Sequence, residues 1–297
     1  MLRHRYLACV TAGLALAAAV LSPAARSATD ATYYVSLGDS GAQGYQPIGG
    51  PTQPGAPPGY TQGYSDQLFK LLRDRYDQLD LVKLGCFGES TATMIDGHGR
   101  CAFTAGSQLR EAEAFLAAHP GHIALITVEI GADDVLGTGV DCFDEAQGLA
   151  DLQCVQAAMP QVQANIRTIV QRLRAAAPGV PIAGANYADV LLGMWTLVPG
   201  PVGMFLAHTN AVAVDAFNAA IDDAYAAEDV PVADVARSFQ SGDFGDFTAT
   251  KDWGLLPLNV ANVCLWTWFC SKQYPGDVHA NSDGYGVIAR AFANVLK

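Results

Sequence analysis

The chain has 297 residues, 51% of them hydrophobic and only 15% charged, with a formal net charge of −12. That length and apolar content allow one large α/β domain with a proper core. The acidic balance argues against nucleic acid and anionic membranes as partners, because binding either would have to work against charge repulsion.

Residues 1–28 read as a secretory signal peptide. Arg3 and Arg5 make a basic start, residues 7–21 are almost wholly apolar, and residues 22–28 offer small side chains for cleavage. The apolar run is short for a membrane span. Cys9 precedes that run instead of ending it, so no lipoprotein anchor is expected. Cleavage would remove three arginines and no acids, leaving 14 cations against 29 acids and a charge of −15. A secreted, soluble chain without a stable membrane anchor is expected, with residues 29–297 as a single domain.

Segments of two kinds then alternate. Residues 33–37, 80–84, 123–130, 181–185 and 230–235 are short and continuously apolar, as buried strands are. Residues 64–76, 107–119, 155–177, 206–227 and 282–296 carry apolar side chains at helical spacing. Five such units predict a parallel sheet with helices on both faces. Residues 49–59 read as an irregular surface loop too early to divide domains, and residues 237–276 as one loop-rich excursion.

Six cysteines follow the leader: Cys86, Cys101, Cys142, Cys154, Cys264 and Cys270. They fall into consecutive couples with 14, 11 and 5 intervening residues. Fifteen pairings are possible. Loop closure favours near neighbours, which predicts 86–101, 142–154 and 264–270. No couple has zinc-ligand spacing, and no metal is expected.

The strand ends carry the chemistry. The first runs into Gly38-Asp39-Ser40-Gly41, the second into Gly85-Cys86-Phe87-Gly88-Glu89-Ser90-Thr91, the third into Gly131-Ala132-Asp133-Asp134. Open α/β sheets bind ligands at the carboxyl ends of their strands, so these turns converge on one edge. Asp277-Val278-His279 lies just before the last helix and can bring an imidazole there. A serine hydroxyl needs a base to become a nucleophile, and flanking glycine exposes backbone N–H groups to a developing oxyanion. Taken alone, Gly-Asp-Ser-Gly is also an ordinary turn sequence; Gly88, Gly131 and His279 at compatible places favour the catalytic reading. His98, His119 and His122 read as solvated, and His208 as packed within a helix.

In this order and spacing the four blocks resemble the SGNH hydrolases, also called the GDSL lipase/esterase family. The resemblance covers essentially the whole mature chain, and the three local cysteine couples look like those of its secreted bacterial members. It implies a three-layer α/β/α, flavodoxin-like fold with a five-stranded parallel sheet, an acyl-serine intermediate and no cofactor. Carried over by position, Ser40 would be nucleophile and first oxyanion donor, Gly88 the second donor, and His279 the base and acid. The Gly-x-Ser-x-Gly elbow of the α/β-hydrolases is missing, because residue 42 is Ala.

Two departures stand out. The family's third block reads Gly-x-Asn-Asp, and its asparagine amide is the third oxyanion donor; here the position is Asp133. An ionised carboxylate has no proton to give. Asp133 would have to stay protonated, turn away, or leave a weak or inactive enzyme. Many members also hold the orienting acid three residues before the histidine, where this chain has Gly276. Asp277 or the Gly276 carbonyl would then orient the ring.

Residues 190–206 are apolar yet broken by Gly193, Pro199, Gly200, Pro201 and Gly203, and follow the fourth strand. They are either a mobile flap over an acyl chain or a loop packed on the core. The expected function is a secreted, monomeric serine esterase or lipase acting on hydrophobic esters. Phospholipase, acyltransferase and polysaccharide deacetylase belong to the same class. The competing reading is an inactive binding protein for lipid or glycan.

Overall fold

A computed structural model describes residues 32–48, 62–76, 78–137 and 140–296. The expected leader and the loop at 49–59 lie outside the described residues.

The central sheet has five strands: β1 (Thr32–Gly38), β2 (Leu79–Lys83), β3 (Ile123–Glu129), β4 (Ile182–Ala185) and β5 (Val232–Ala233). Their order is β2-β1-β3-β4-β5, and every pairing is parallel. The alternation of side chains along each strand decides what lies on each face. Val35, Leu37, Ile126, Val128 and Ile130 point to one face, onto helices α2 (Gln108–Ala118), α3 (Leu152–Ala176) and α4 (Pro201–Ala226). Tyr34, Leu125, Ala183 and Ala233 point to the other, onto α1 (Tyr64–Leu72) and α6 (Ser282–Val295). Two apolar layers therefore enclose the sheet, and each fully buried aliphatic side chain contributes roughly 1.5–3 kcal/mol. The result is the expected α/β sandwich.

Strand order reverses at β1, whose neighbours are β2 and β3. At such a switch point the loops leaving two adjacent strands part to opposite faces and open a crevice. Ser40 follows β1 and Asp133 follows β3, so both flank that crevice.

Two differences from expectation, and one choice between alternatives, have physical reasons. Helix α4 begins at Pro201, five residues before the expected start, with Gly200 at φ +77° as its cap. Proline is compatible with a first helical turn, so Pro201, named above among the breaks in residues 190–206, starts the helix. Of the two alternatives for residues 190–206, the loop packed on the core describes residues 190–194. Leu191, Leu192 and Met194 are buried against Leu206, Leu256, Val260 and Phe269, while Leu197, Val202 and Phe205 farther along are exposed.

The 237–276 excursion is more regular than expected. It holds a hairpin, Phe247–Thr250 with Gly254–Pro257, and helix α5 (Leu258–Trp266). Two polar residues disguise that helix. Asn259 and Asn262 are buried because their amides donate to the carbonyls of Ser241 (2.9 Å) and Phe239 (3.0 Å). The disulfides are Cys86–Cys101, Cys142–Cys154 and Cys264–Cys270, each joining neighbours in sequence.

Candidate active site

Ser40 begins a four-residue helix directly after β1. The preceding Asp39 caps it, its side chain accepting from the Gly41 amide at 2.8 Å. The turn is packed too tightly for side chains. A Cβ on Gly38 would lie 2.0 Å from the Glu129 carbonyl oxygen, and one on Gly85 would lie 2.4 Å from the Gln43 nitrogen. Glycine is needed because backbone meets backbone there.

Side-chain bonds lock the three turns together. Gln108, at the start of α2, accepts from the Gly38 amide (2.7 Å) and donates to the Gly38 carbonyl (2.9 Å). The second turn hooks onto the first as the Cys86 amide donates to Gly38 (3.1 Å) and the Phe87 amide to the Gln43 side chain (3.1 Å). The third turn hooks onto the second through Asp134, which accepts from the Thr91 amide (2.8 Å) and hydroxyl (2.6 Å). Gly88, at φ +76°, and Asp133, half-buried, are carried on these linked turns, and neither lines the cavity beneath Ser40.

The last loop completes the constellation. His279 Nε2 lies 2.9 Å from Ser40 Oγ, and His279 Nδ1 lies 2.9 Å from Asp277 Oδ1. Asp277 reaches the ring from two residues away because the same oxygen also accepts from the His279 amide at 3.0 Å. This is a local aspartate turn, which folds the carboxylate back under its own loop. With Nδ1 protonated and donating to Asp277, Nε2 is left to take a proton from Ser40. The Gly276 carbonyl is not the ring's partner.

Neighbours that carried no motif fix this loop. The Trp268 amide donates to the His279 carbonyl at 2.9 Å. Gln46 donates to the Ala280 carbonyl (2.9 Å) and accepts from the Trp268 indole (3.0 Å). Tyr45 packs on the imidazole with ring centroids 4.0 Å apart, and Phe87 stacks on Tyr45 at 4.8 Å. None of these was legible in the sequence. The nearest signals were the aromatics that follow the serine block and fill the second turn.

Other expected positions divide. His119 caps α2 and bonds the Phe115 carbonyl. His208 is exposed on α4 and stacks on Phe244, in place of the packed position expected.

A cavity of about 160 Å³ opens beside Ser40 and His279. Its walls are mostly apolar, with Ala132, Val135, Leu191, Val214 and Phe217 among them. Two buried acids flank it. Burial pushes Asp39 up to about 6, opposed by its bonds from the Tyr187 hydroxyl (2.6 Å) and the Gly41 amide. Glu129 is pushed well above the usual carboxylate range, first by burial and then by the charge of Asp39. Among the described residues no group of three or more His, Cys, Asp or Glu could hold a metal, and no helix is long and apolar enough to cross a membrane.

The chain can now be set beside known proteins. The profile of the GDSL-like lipase/acylhydrolase family matches residues 36–287. No curated protein matches the sequence. Among solved structures, a GDSL-like lipase candidate from Parabacteroides merdae is similar with a TM-score of 0.52 at 12% identity, covering 90% of this chain and 96% of that one. Protein YXIM from Bacillus subtilis is similar with a TM-score of 0.51 at 13% identity, covering 90% of this chain but 56% of its own. At these identities the likeness speaks for the fold. The family match spans all four blocks, from the strand before Ser40 to the helix after His279, and the chain therefore belongs to the GDSL-like lipase/acylhydrolase family.

Proposed function

We propose that the protein is a secreted, monomeric serine hydrolase of hydrophobic carboxylic esters. The observation that carries the reading is the continuous chain Ser40–His279–Asp277, with both links at 2.9 Å, placed at the mouth of an apolar cavity.

Ser40 Oγ attacks the ester carbonyl while its proton passes to His279 Nε2. Asp277 holds the ring in the required tautomer and stabilises the imidazolium. The amides of Ser40 and Gly88 receive the tetrahedral oxyanion. His279 then returns the proton to the departing alcohol, leaving an acyl-Ser40 that water, activated by the same imidazole, hydrolyses. The acyl chain lies in the cavity. Its mostly apolar walls suit a hydrocarbon chain.

The charge of the mature chain disfavours anionic aggregates and leaves neutral or zwitterionic esters. Three disulfides fit an oxidising, extracellular compartment. Asp133 at the third oxyanion position supports a second reading, a fold that binds acyl ligands without turnover.

Hydrolysis of short-, medium- and long-chain p-nitrophenyl esters from pH 4 to 9, with Ser40→Ala beside the parent, separates the two. Turnover that disappears in Ser40→Ala is expected. No Ser40-dependent turnover at any pH would leave the binding reading.

A further inference from the structure

The cavity has one feature that an alkyl chain does not explain. Glu129, at the end of β3, is only 3% exposed, and its Oε2 has no hydrogen-bond partner among the described residues. Leaving a buried carboxyl oxygen orphaned is costly, so its retention calls for an occupant that satisfies it. Glu129 lines the cavity together with Asp39, Ser40 and Gly41. Gly41 makes room for it, because a Cβ there would lie 2.4 Å from Oε2. The oxygen thus sits against the residue next to the nucleophile.

The polar groups around it are already committed elsewhere. Asp39 accepts from the Gly41 amide and the Tyr187 hydroxyl, and the Tyr285 hydroxyl donates to the Tyr45 carbonyl. The remaining wall on this side, Val235, Phe239 and Ile288, is apolar. No lysine or arginine is within the lining, and a carboxyl that burial keeps protonated is completed by a neutral partner.

We propose that Glu129 is the polar anchor of the acyl cavity, and that the acyl group accepted there carries a hydroxyl on its chain. A hydroxyl both donates and accepts, so it completes this carboxyl in either protonation state. The protonated form is the favoured one, since burial and the Asp39 charge both raise Glu129. This inference rests on the esterase reading and narrows its substrate to hydroxyacyl esters.

The test compares kcat/KM for p-nitrophenyl octanoate with its 3-, 6- and 8-hydroxy derivatives, in the parent, Glu129→Gln and Glu129→Met. The parent should prefer at least one hydroxylated ester over octanoate by about tenfold, the worth of one well-placed hydrogen bond. Glu129→Gln, which still donates and accepts, should keep that preference; Glu129→Met should lose it. The ratio is internal to each variant, so a smaller folded fraction does not alter it. If the parent favours plain octanoate over every derivative, water alone satisfies the carboxyl and the proposal is wrong. A preference retained in Glu129→Met overturns it equally. Failure to hydrolyse any of the esters, octanoate included, removes the esterase reading and this inference with it.

Discussion

Two regions deliver residues to the candidate site, and they are built differently. The Ser40 turn is an extension of the sheet. It is pinned by backbone contact, by Gln108 and by the linked turns at Cys86 and Thr91. The His279 loop comes from outside the sheet and is held by a few cross-links, through Trp268, Gln46 and the Cys264–Cys270 bridge. The proposed nucleophile and oxyanion donors thus share the stability of the core, whereas the proposed base depends on contacts that can be removed one at a time. Damage to the loop should harm turnover while the fold survives, and damage beneath the turns should harm both.

The largest expected effect lies at the nucleophile. Ser40→Ala should lower ester turnover by about 10⁴-fold or more with the melting temperature nearly unchanged; residual activity within tenfold of the parent would point to another nucleophile. Next comes the acid on the loop. Asp277→Asn should lower kcat by about a thousandfold, because the amide no longer fixes the tautomer. A small change would mean that the loop backbone suffices to orient the ring.

A change on the sheet side should act in the opposite direction. Asp133→Asn should raise turnover at neutral pH by about tenfold or more, since on the proposed mechanism it adds a donor at the third oxyanion position. A loss would show that Asp133 supports the turn and is not a missing donor. Opening the loop's clamp is a milder change. Cys264→Ser with Cys270→Ser should cost about 2 kcal/mol of stability, by the entropy of so short a closed loop. Its kcat should drop further than its melting temperature implies, which a melt and a Michaelis curve on the same sample would resolve.

The last effect is on pH dependence, and it bears on stability in place of turnover. Asp39 at about 6 and Asp189 at about 7, both raised mainly by burial, bind protons in the fold that the unfolded chain releases near 4. Glu129 is raised in the same sense. Their contribution is full below about pH 4 and is lost as pH rises through 6 and 7. Each tenfold difference in proton affinity between the folded and unfolded chain is worth about 1.4 kcal/mol. The melting temperature should fall between pH 5 and 8, and Glu129→Gln should flatten part of that fall.

The same division governs what the sequence made legible. Strands buried on both faces are continuously apolar, and their glycine-rich exits stand out, so β1 to β4, Ser40 and the second and third turns could be placed from the residues. Helix α5 could not, because Asn259 and Asn262 become core residues only once loop carbonyls from Phe239 and Ser241 reach them. The reach of Asp277 to His279 depended on a turn geometry that spacing does not specify. Tyr45 and Gln46 carry no motif, and their part in holding the imidazole exists only after residues more than 200 positions apart are brought together. Glu129 was hidden inside an apolar strand, where its orphaned oxygen is visible only with the cavity beside it.

The central claim is that His279 and Asp277 make Ser40 a nucleophile. Treating the parent, Ser40→Ala and His279→Ala with a fluorophosphonate, then mapping the adduct by peptide mass spectrometry, tests it most directly. One adduct per chain on the peptide holding Ser40, slowed at least a hundredfold in His279→Ala and absent in Ser40→Ala, is the predicted result. An unlabelled parent, or an adduct on any other residue, would contradict it.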